Sequence, residues 1–207
     1  MNLSTRFKGL VIRLLDEAWI YETFQKLVLS KNEKSLIQEL LSSRKGKVLD
    51  FGCGNGKLAH FFSPLDYLGI DPNVSCIQRA RKMFPLHSFQ KASHTDINLE
   101  FKSEFSTIVS WGVLHHLDDS SLNSAISSLF ESLVEGGLFI ALEPVGNPRE
   151  GVTLRDWVMQ FDRGAYIRDY LFYEENLKKL GFKMVEVRIR KDLVRIPYRQ
   201  AIIIARR

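Results

Sequence analysis

Val48-Leu49-Asp50-Phe51-Gly52-Cys53-Gly54-Asn55-Gly56 is the stretch whose reading decides the fold. The apolar run Lys47 to Phe51 breaks into glycines at alternate positions, and Lys57 to Phe62 then reads as the opening of a helix. Strand, glycine-rich turn and helix in that order begin a βαβ unit. Glycine permits φ > 0 and lets a ligand approach the main chain closely. The spacing narrows the choice of ligand. A dinucleotide fingerprint, G-x-G-x-x-G counted from Gly52, needs glycine where Lys57 stands. In a phosphate loop, G-x-x-x-x-G-K-[ST], Gly52 and Gly56 are one residue too close and Leu58 stands where a hydroxyl is needed. Asp50, just before the turn, repels a pyrophosphate but suits a cationic ligand or a water network.

Tyr67-Leu68-Gly69-Ile70-Asp71-Pro72 reads as a short second strand ending in an acid. Asp71 follows Gly52 by 19 residues, the spacing that sets a carboxylate beside ribose hydroxyls. Asp-Pro also opens helices, so the alternative is plain helix initiation. Beside the glycine loop, ribose is the favoured reading. A ribose ligand with a sulfonium, an ammonium and no phosphate is S-adenosylmethionine.

Val48–Gly56, Leu68–Pro72, Phe105–Leu117 and Leu133–Pro144 resemble the successive motifs of class I S-adenosylmethionine-dependent methyltransferases. The resemblance covers residues 46–144, roughly half of the chain, and the N-terminal segment matches none of these motifs. It implies an α/β fold: a three-layer, Rossmann-like, seven-stranded sheet, mostly parallel, with an antiparallel last strand between the fifth and sixth. N-terminal helices would be added to it. It also implies S-adenosyl-L-methionine as cofactor, bound by Asp50, Gly52, Cys53, Gly54, Gly56, Asp71, Pro72, Ser110 and Trp111. The family's adenine-contacting acid falls within Ala92 to Ile97, where His94 and Asp96 both stand. Asp96 is the better chemical match, because a carboxylate accepts from the adenine amino group.

At 207 residues the chain is most simply one domain, able to bury roughly 70% of its unfolded surface. We divide it into an N-terminal helical cap (1–44), a cofactor-binding core (45–143), a substrate insertion (144–172) and a last helix with a β-hairpin (173–207). No uncharged apolar run approaches the roughly 20 residues that span a bilayer, and Arg13, Asp16 and Glu17 interrupt any signal-peptide core. Cys53 and Cys76 show neither zinc spacing nor a disulfide framework, so no metal is expected and the expected compartment is the reducing cytoplasm. A net charge of +5 permits nucleic-acid contact without demanding it.

Before the core, Phe7, Leu10, Val11, Leu14, Leu15, Ala18 and Trp19 follow a helical rhythm, and a second helix begins near Ser30 or Asn32, with Asn32 as N-cap. Trp19, Tyr21 and Phe24 either line a lid over the cofactor or pack on the core. Further on, Val74–Met83 reads as a helix, His87–Lys91 as a weak strand and Phe105–Ser110 as a clear one. Asp118, Asp119 or Ser120 caps a helix over Ser121–Leu133. Glu135-Gly136-Gly137 reads as a turn before a strand over Leu138–Leu142, with Glu143 at its end. A helix over Tyr173–Leu180, ended by Gly181, precedes two strands, Phe182–Arg190 and Arg199–Ala205.

Ligands bind outside the carboxyl ends of strands in such a sheet, so Ser110 to His116 border the donor site. His115 or His116 is a candidate general base, or the pair orders its loop. Glu143 is a further base candidate, or simply ends its strand. Arg163, Tyr166 and Arg168, in the polar-aromatic insertion, are candidates to grip a carboxylate, phosphate or sugar, or form a solvated helix face. The expected activity is in-line methyl transfer to a small molecule or a glycan- or lipid-linked intermediate. The alternatives are an RNA acceptor and a catalytically inactive, cofactor-binding regulatory subunit.

Overall fold

A computed structural model describes residues 31–42, 44–96, 101–146, 166–193 and 199–207. Helix α1 (Lys31–Leu41) leads into strand β1 (Val48–Phe51), followed by β2 (Tyr67–Asp71), helix α2 (Val74–Met83) and β3 (Ser88–Lys91). Then come β4 (Phe105–Trp111), α3 (Asp119–Ser132), β5 (Leu133–Val145), α4 (Tyr170–Lys179), β6 (Met184–Arg190) and β7 (Arg199–Arg206). The seven strands form one sheet in the order β3-β2-β1-β4-β5-β7-β6. β1 to β5 pair in parallel, while β7 runs antiparallel to both β5 and β6. The expected seven-stranded Rossmann-like sheet, with its antiparallel last strand inserted beside the fifth, is therefore present.

Alternation along the strands explains the three layers, because successive side chains face opposite sides of a sheet. Leu49 and Phe51 join Ile108, Phe139 and Ala141 under α3 and α4, where Leu122, Ile126, Leu129, Tyr173 and Leu177 are buried. Val48 joins Val109, Ile140 and Leu142 on the other face, with Leu36, Ile37, Leu40 and Leu41 of α1 and Ile77 and Ala80 of α2. In α3 the buried set Leu122, Ala125, Ile126 and Leu129 follows the i, i+3, i+4, i+7 rhythm of a helix with one buried stripe. Asp118 caps α3 by accepting from the Ser121 N–H at 2.7 Å, and that backbone bond holds its carboxyl below the usual range.

The structure corrects several local readings. The helix expected over Lys57–Phe62 is only one 3₁₀ turn, Ala59–Phe61. Gly52, Gly54 and Gly56 all have positive φ, so no helix starts before Lys57. Pro64 follows closely, disfavours α geometry at Ser63 and leaves no length for a helix. Asn32 is not an N-cap. It lies inside α1, and its Nδ2 donates to Asp192 Oδ2 at 2.8 Å. Glu135-Gly136-Gly137 is not a separate turn but belongs to β5, whose pairing with β4 slips between Phe105 and Thr107. Gly136 takes φ 75°, and the Gly136 N–H donates to the Arg207 carbonyl while the Arg207 N–H donates to the Gly137 carbonyl. α4 starts at Tyr170, ahead of the expected Tyr173, because Asp169 provides a cap. Residues 1–30, with Trp19, Tyr21 and Phe24, and residues 147–165, with Arg163, lie outside the described residues.

Candidate active site

The strand order reverses direction between β1 and β4, and such a switch point opens a crevice at the carboxyl ends of the strands. The loop after β1 forms one wall. The Gly52 and Cys53 N–H groups both donate to the Ile70 carbonyl, at 2.8 and 3.0 Å, and pin the loop to the end of β2. At Gly52, φ is 74° and a Cβ would lie 2.4 Å from a Val113 methyl, so backbone geometry and space both demand glycine. A Cβ on Gly54 would meet nothing within 4 Å, so the outer face of the loop is open there.

Asp71, at the end of β2, accepts through Oδ2 from the Gly54 N–H at 3.0 Å and through Oδ1 from the Asn73 N–H at 2.8 Å. It thus clasps the glycine loop to the start of α2 and is only half-buried. Pro72 follows it and is exposed. Asp50 is buried, 1% exposed, and accepts from the Tyr67 hydroxyl at 2.6 Å. Burial pushes its carboxyl up to about 7, the Tyr67 bond pulls the other way, and Asp71 adds repulsion. Burial, helped by Asp50, also pushes the Tyr67 hydroxyl and the Cys53 thiol well up, so both stay neutral. Beyond β3, Asp96 is exposed, and its Oδ2 accepts from the Ser93 N–H at 2.7 Å and hydroxyl at 2.8 Å, which holds its carboxyl below the usual range. Asp96 and Asp71 thus stand at the ends of β3 and β2, while Asp50 is buried within β1.

β4 builds the other wall. The Ser110 hydroxyl is buried and has no hydrogen-bond partner among the described residues. Trp111 Nε1 donates to Glu33 Oε1 of α1 at 2.9 Å, and Lys57 Nζ donates to the same oxygen at 2.8 Å. Past Gly112, the 3₁₀ turn Leu114–His116 is organised by Glu143, a fully buried residue of β5. Glu143 Oε1 accepts from the Val113 and Leu114 N–H groups, each at 2.9 Å. Oε2 accepts from the His115 N–H at 3.2 Å and contacts His115 Nδ1 at 2.7 Å. A carboxylate receiving three backbone N–H groups is an acceptor, so His115 Nδ1 carries a proton towards it. With both its oxygens engaged, Glu143 orients the turn and His115. His116 is exposed, its ring centroid 4.2 Å from that of His115.

Arg168 is also built into this turn. Nε and Nη2 donate to Asp119 Oδ1 at 2.9 and 2.8 Å, and Nη2 donates to the Leu117 carbonyl at 2.6 Å. Nη1 donates to the Leu114 and Tyr166 carbonyls at 3.3 and 3.1 Å. All five guanidinium N–H groups are engaged, so this side chain is a clasp rather than the expected grip on substrate. Tyr166 is 43% exposed, and its N–H donates to the His115 carbonyl at 3.0 Å. The Gly146 N–H donates to the Arg168 carbonyl at 3.0 Å, so the end of β5 is tied to the stretch that leads into α4.

Residues 24–187 match a family model described as a methyltransferase domain. The chain belongs to the class I S-adenosylmethionine-dependent methyltransferases. The methyltransferase is 26% identical over 152 residues to an uncharacterised methyltransferase of Bacillus cereus, covering 69% of each chain, and equally to one of Bacillus anthracis. Its fold is similar to that of a SAM-dependent methyltransferase from Archaeoglobus fulgidus, with a TM-score of 0.71, 15% identity, and coverage of 92% of this chain and 100% of that one. It is also similar to a Haemonchus contortus phosphoethanolamine N-methyltransferase 2 in complex with phosphomonomethylethanolamine and S-adenosylhomocysteine. There the TM-score is 0.68 at 16% identity, covering 86% of this chain and 53% of that one. The residues at the crevice fit an adenosyl cation. The Asp71 carboxylate stands at its edge, the loop face at Gly54 is open, and Ser110 offers a hydroxyl unpartnered among the described residues.

Sequence reading missed Glu33, Tyr67 and Asp119 as parts of this methyltransferase's site. Each is a common residue type on an ordinary element, and each acquires its role from a partner distant in sequence: Trp111, Asp50 and Arg168. Among the described residues no helix is long and apolar enough to cross a membrane.

Proposed function

We propose that the methyltransferase moves a methyl group from S-adenosylmethionine to a small molecule or a glycan- or lipid-linked intermediate at the β1–β4 crevice. The observation that carries this reading is the position of Asp71. Its carboxylate is fixed by the Gly54 and Asn73 N–H groups at a strand end, and it keeps lone pairs to accept from ribose hydroxyls. Asp96 is assigned to the adenine. Asp50, Gly52, Cys53, Gly54, Gly56 and Pro72 shape the loop, and Ser110 and Trp111 form the opposite wall.

The sulfonium is already activated, so the protein has mainly to hold acceptor and methyl in line, which can lower a barrier by roughly 7–11 kcal/mol. The S–CH₃ bond breaks as the bond from acceptor to methyl forms, and the sulfur leaves as a neutral thioether. Where an oxygen or nitrogen acceptor needs a base, the role is assigned to His115, a buried side chain (3% exposed) whose Nδ1 is held by Glu143, with the exposed His116 beside it. This is the division of labour between base and orienting carboxylate seen in catalytic triads. Arg168 and Asp119 act as positioning residues for the turn. Tyr166, exposed and bonded through its N–H to the His115 carbonyl, supports acceptor recognition beside His115.

Calorimetric titration with S-adenosylmethionine, S-adenosylhomocysteine and NAD tests the reading. Binding of the adenosyl pair, weakened about tenfold or more by Asp71→Ala, is expected from loss of hydrogen bonds to a charged group. NAD binding, or no adenosyl binding, overturns it. In an acceptor screen with labelled methyl donor, labelling confined to RNA, with steep salt dependence, would overturn the acceptor class.

A further inference from the structure

Glu33 is buried, 2% exposed, on a helix that lies outside the glycine-loop motif. Taking a carboxylate out of water costs several kcal/mol unless it is well paired. Its pairing is specific: one oxygen receives both the Lys57 ammonium and the Trp111 indole N–H. Lys57 directly follows the glycine loop after β1, and Trp111 ends β4. Glu33 therefore joins the two walls of the crevice across the switch point.

The direction of the site indicates what meets this group. With adenine at Asp96 beyond β3 and ribose at Asp71 on β2, the rest of the donor runs on past β1 towards β4. Three strand spacings of about 4.8 Å separate β3 from β4, a distance suited to an extended nucleoside with an amino-acid tail. That tail ends in one ammonium and one carboxylate. Glu33 and Lys57 are the complementary carboxylate and ammonium, and the Lys57 side chain is 41% exposed, on the accessible side of the pair. Exchange of partners, Glu33 with the ammonium and Lys57 with the carboxylate, leaves no charge unpaired. We propose that Glu33 and Lys57 read the amino-acid end of the methyl donor and so make α1 a wall of the cofactor crevice. The inference rests on the adenosyl reading proposed above.

The test compares S-adenosylhomocysteine with methylthioadenosine, which keeps the adenosine and thioether but lacks the amino-acid tail. Calorimetry on the whole chain, as wild type, Glu33→Gln and Lys57→Met, reads both affinities. The expected result is a loss of about tenfold or more for S-adenosylhomocysteine, the worth of a hydrogen bond to a charged group. Methylthioadenosine affinity should stay within about twofold. Equal weakening of both ligands means a merely structural role and overturns the inference, as does no change in either. Lys57→Met, at a partly exposed side chain, decides the matter if Glu33→Gln does not fold. A wild type that binds neither ligand refutes the adenosyl reading itself, an outcome separate from the other two.

Discussion

Replacing Asp50 by asparagine isolates the cost of a buried acid next to the glycine loop. The Asp50 carboxyl is raised from 3.8 to about 7, chiefly by burial. Three pKa units at 1.36 kcal/mol each amount to about 4 kcal/mol. The sign follows from proton binding: between the two pKa values the folded chain holds a proton that the unfolded chain has lost. This group's contribution to stability therefore falls as pH rises from about 4 to about 7 and is level above that. Asparagine does not titrate, and its oxygen still accepts from Tyr67. Its NH₂ adds a buried donor whose cost of about 1–3 kcal/mol is independent of pH. The robust quantity is thus the difference in unfolding free energy, wild type minus variant, measured by urea denaturation across the pH range. It should fall by about 4 kcal/mol between pH 4 and pH 8, whatever the constant offset. A difference flat to within about 0.5 kcal/mol, or one that rises with pH, would refute a buried, proton-holding Asp50.

Gly52→Ala places a Cβ 2.4 Å from a Val113 methyl at a positive φ, and should cost about 2–5 kcal/mol in chemical denaturation. Glu143→Gln puts an NH₂ donor among donors in a buried site. It should lower the thermal midpoint and reverse the His115 tautomer, a change visible in ¹⁵N imidazole shifts, while S-adenosylhomocysteine affinity changes by less than about threefold. Leu129→Ala, in the fully buried stripe of α3, should destabilise by about 2–5 kcal/mol and leave cofactor affinity unaltered in the folded protein. Arg168→Lys should cost stability by weakening the donors to the Leu114 and Leu117 carbonyls, and faster hydrogen exchange at Leu114 to Leu117 would register it.

The glycine loop, the acid at the end of the second strand and most strand positions were legible because their signals are local. Alternate glycines require positive φ within one loop, and apolar runs such as Phe105–Ser110 declare a buried parallel strand without reference to the rest of the chain. Val74–Met83 was legible for the same reason, from its own rhythm and the following Pro85. The failed readings involve competition between neighbours. Lys57–Phe62 has helical composition, but the glycines before it and Pro64 after it leave room for only one 3₁₀ turn. Glu135-Gly136-Gly137 has the composition of a turn, yet Arg207, far along the chain, pairs with it and draws it into β5.

Roles that depend on partners were illegible in principle. Glu143 reads as a strand-end acid, and only the sheet puts it under the 113–115 turn with both oxygens engaged. Arg168 reads as a substrate grip because an arginine among aromatics in an insertion commonly is one, but the fold gives all five of its donors to the turn and Asp119. The sequence by itself determined a mostly parallel α/β sheet with a glycine-rich loop after its first strand, since backbone conformation and burial period are properties of short segments. Only the tertiary structure decided which acids stay partly exposed at the strand ends and which are buried and engaged within the protein. Hydrogen-bond partners such as Glu33 and Trp111 stand 78 residues apart, and no local pattern specifies a pairing over that distance.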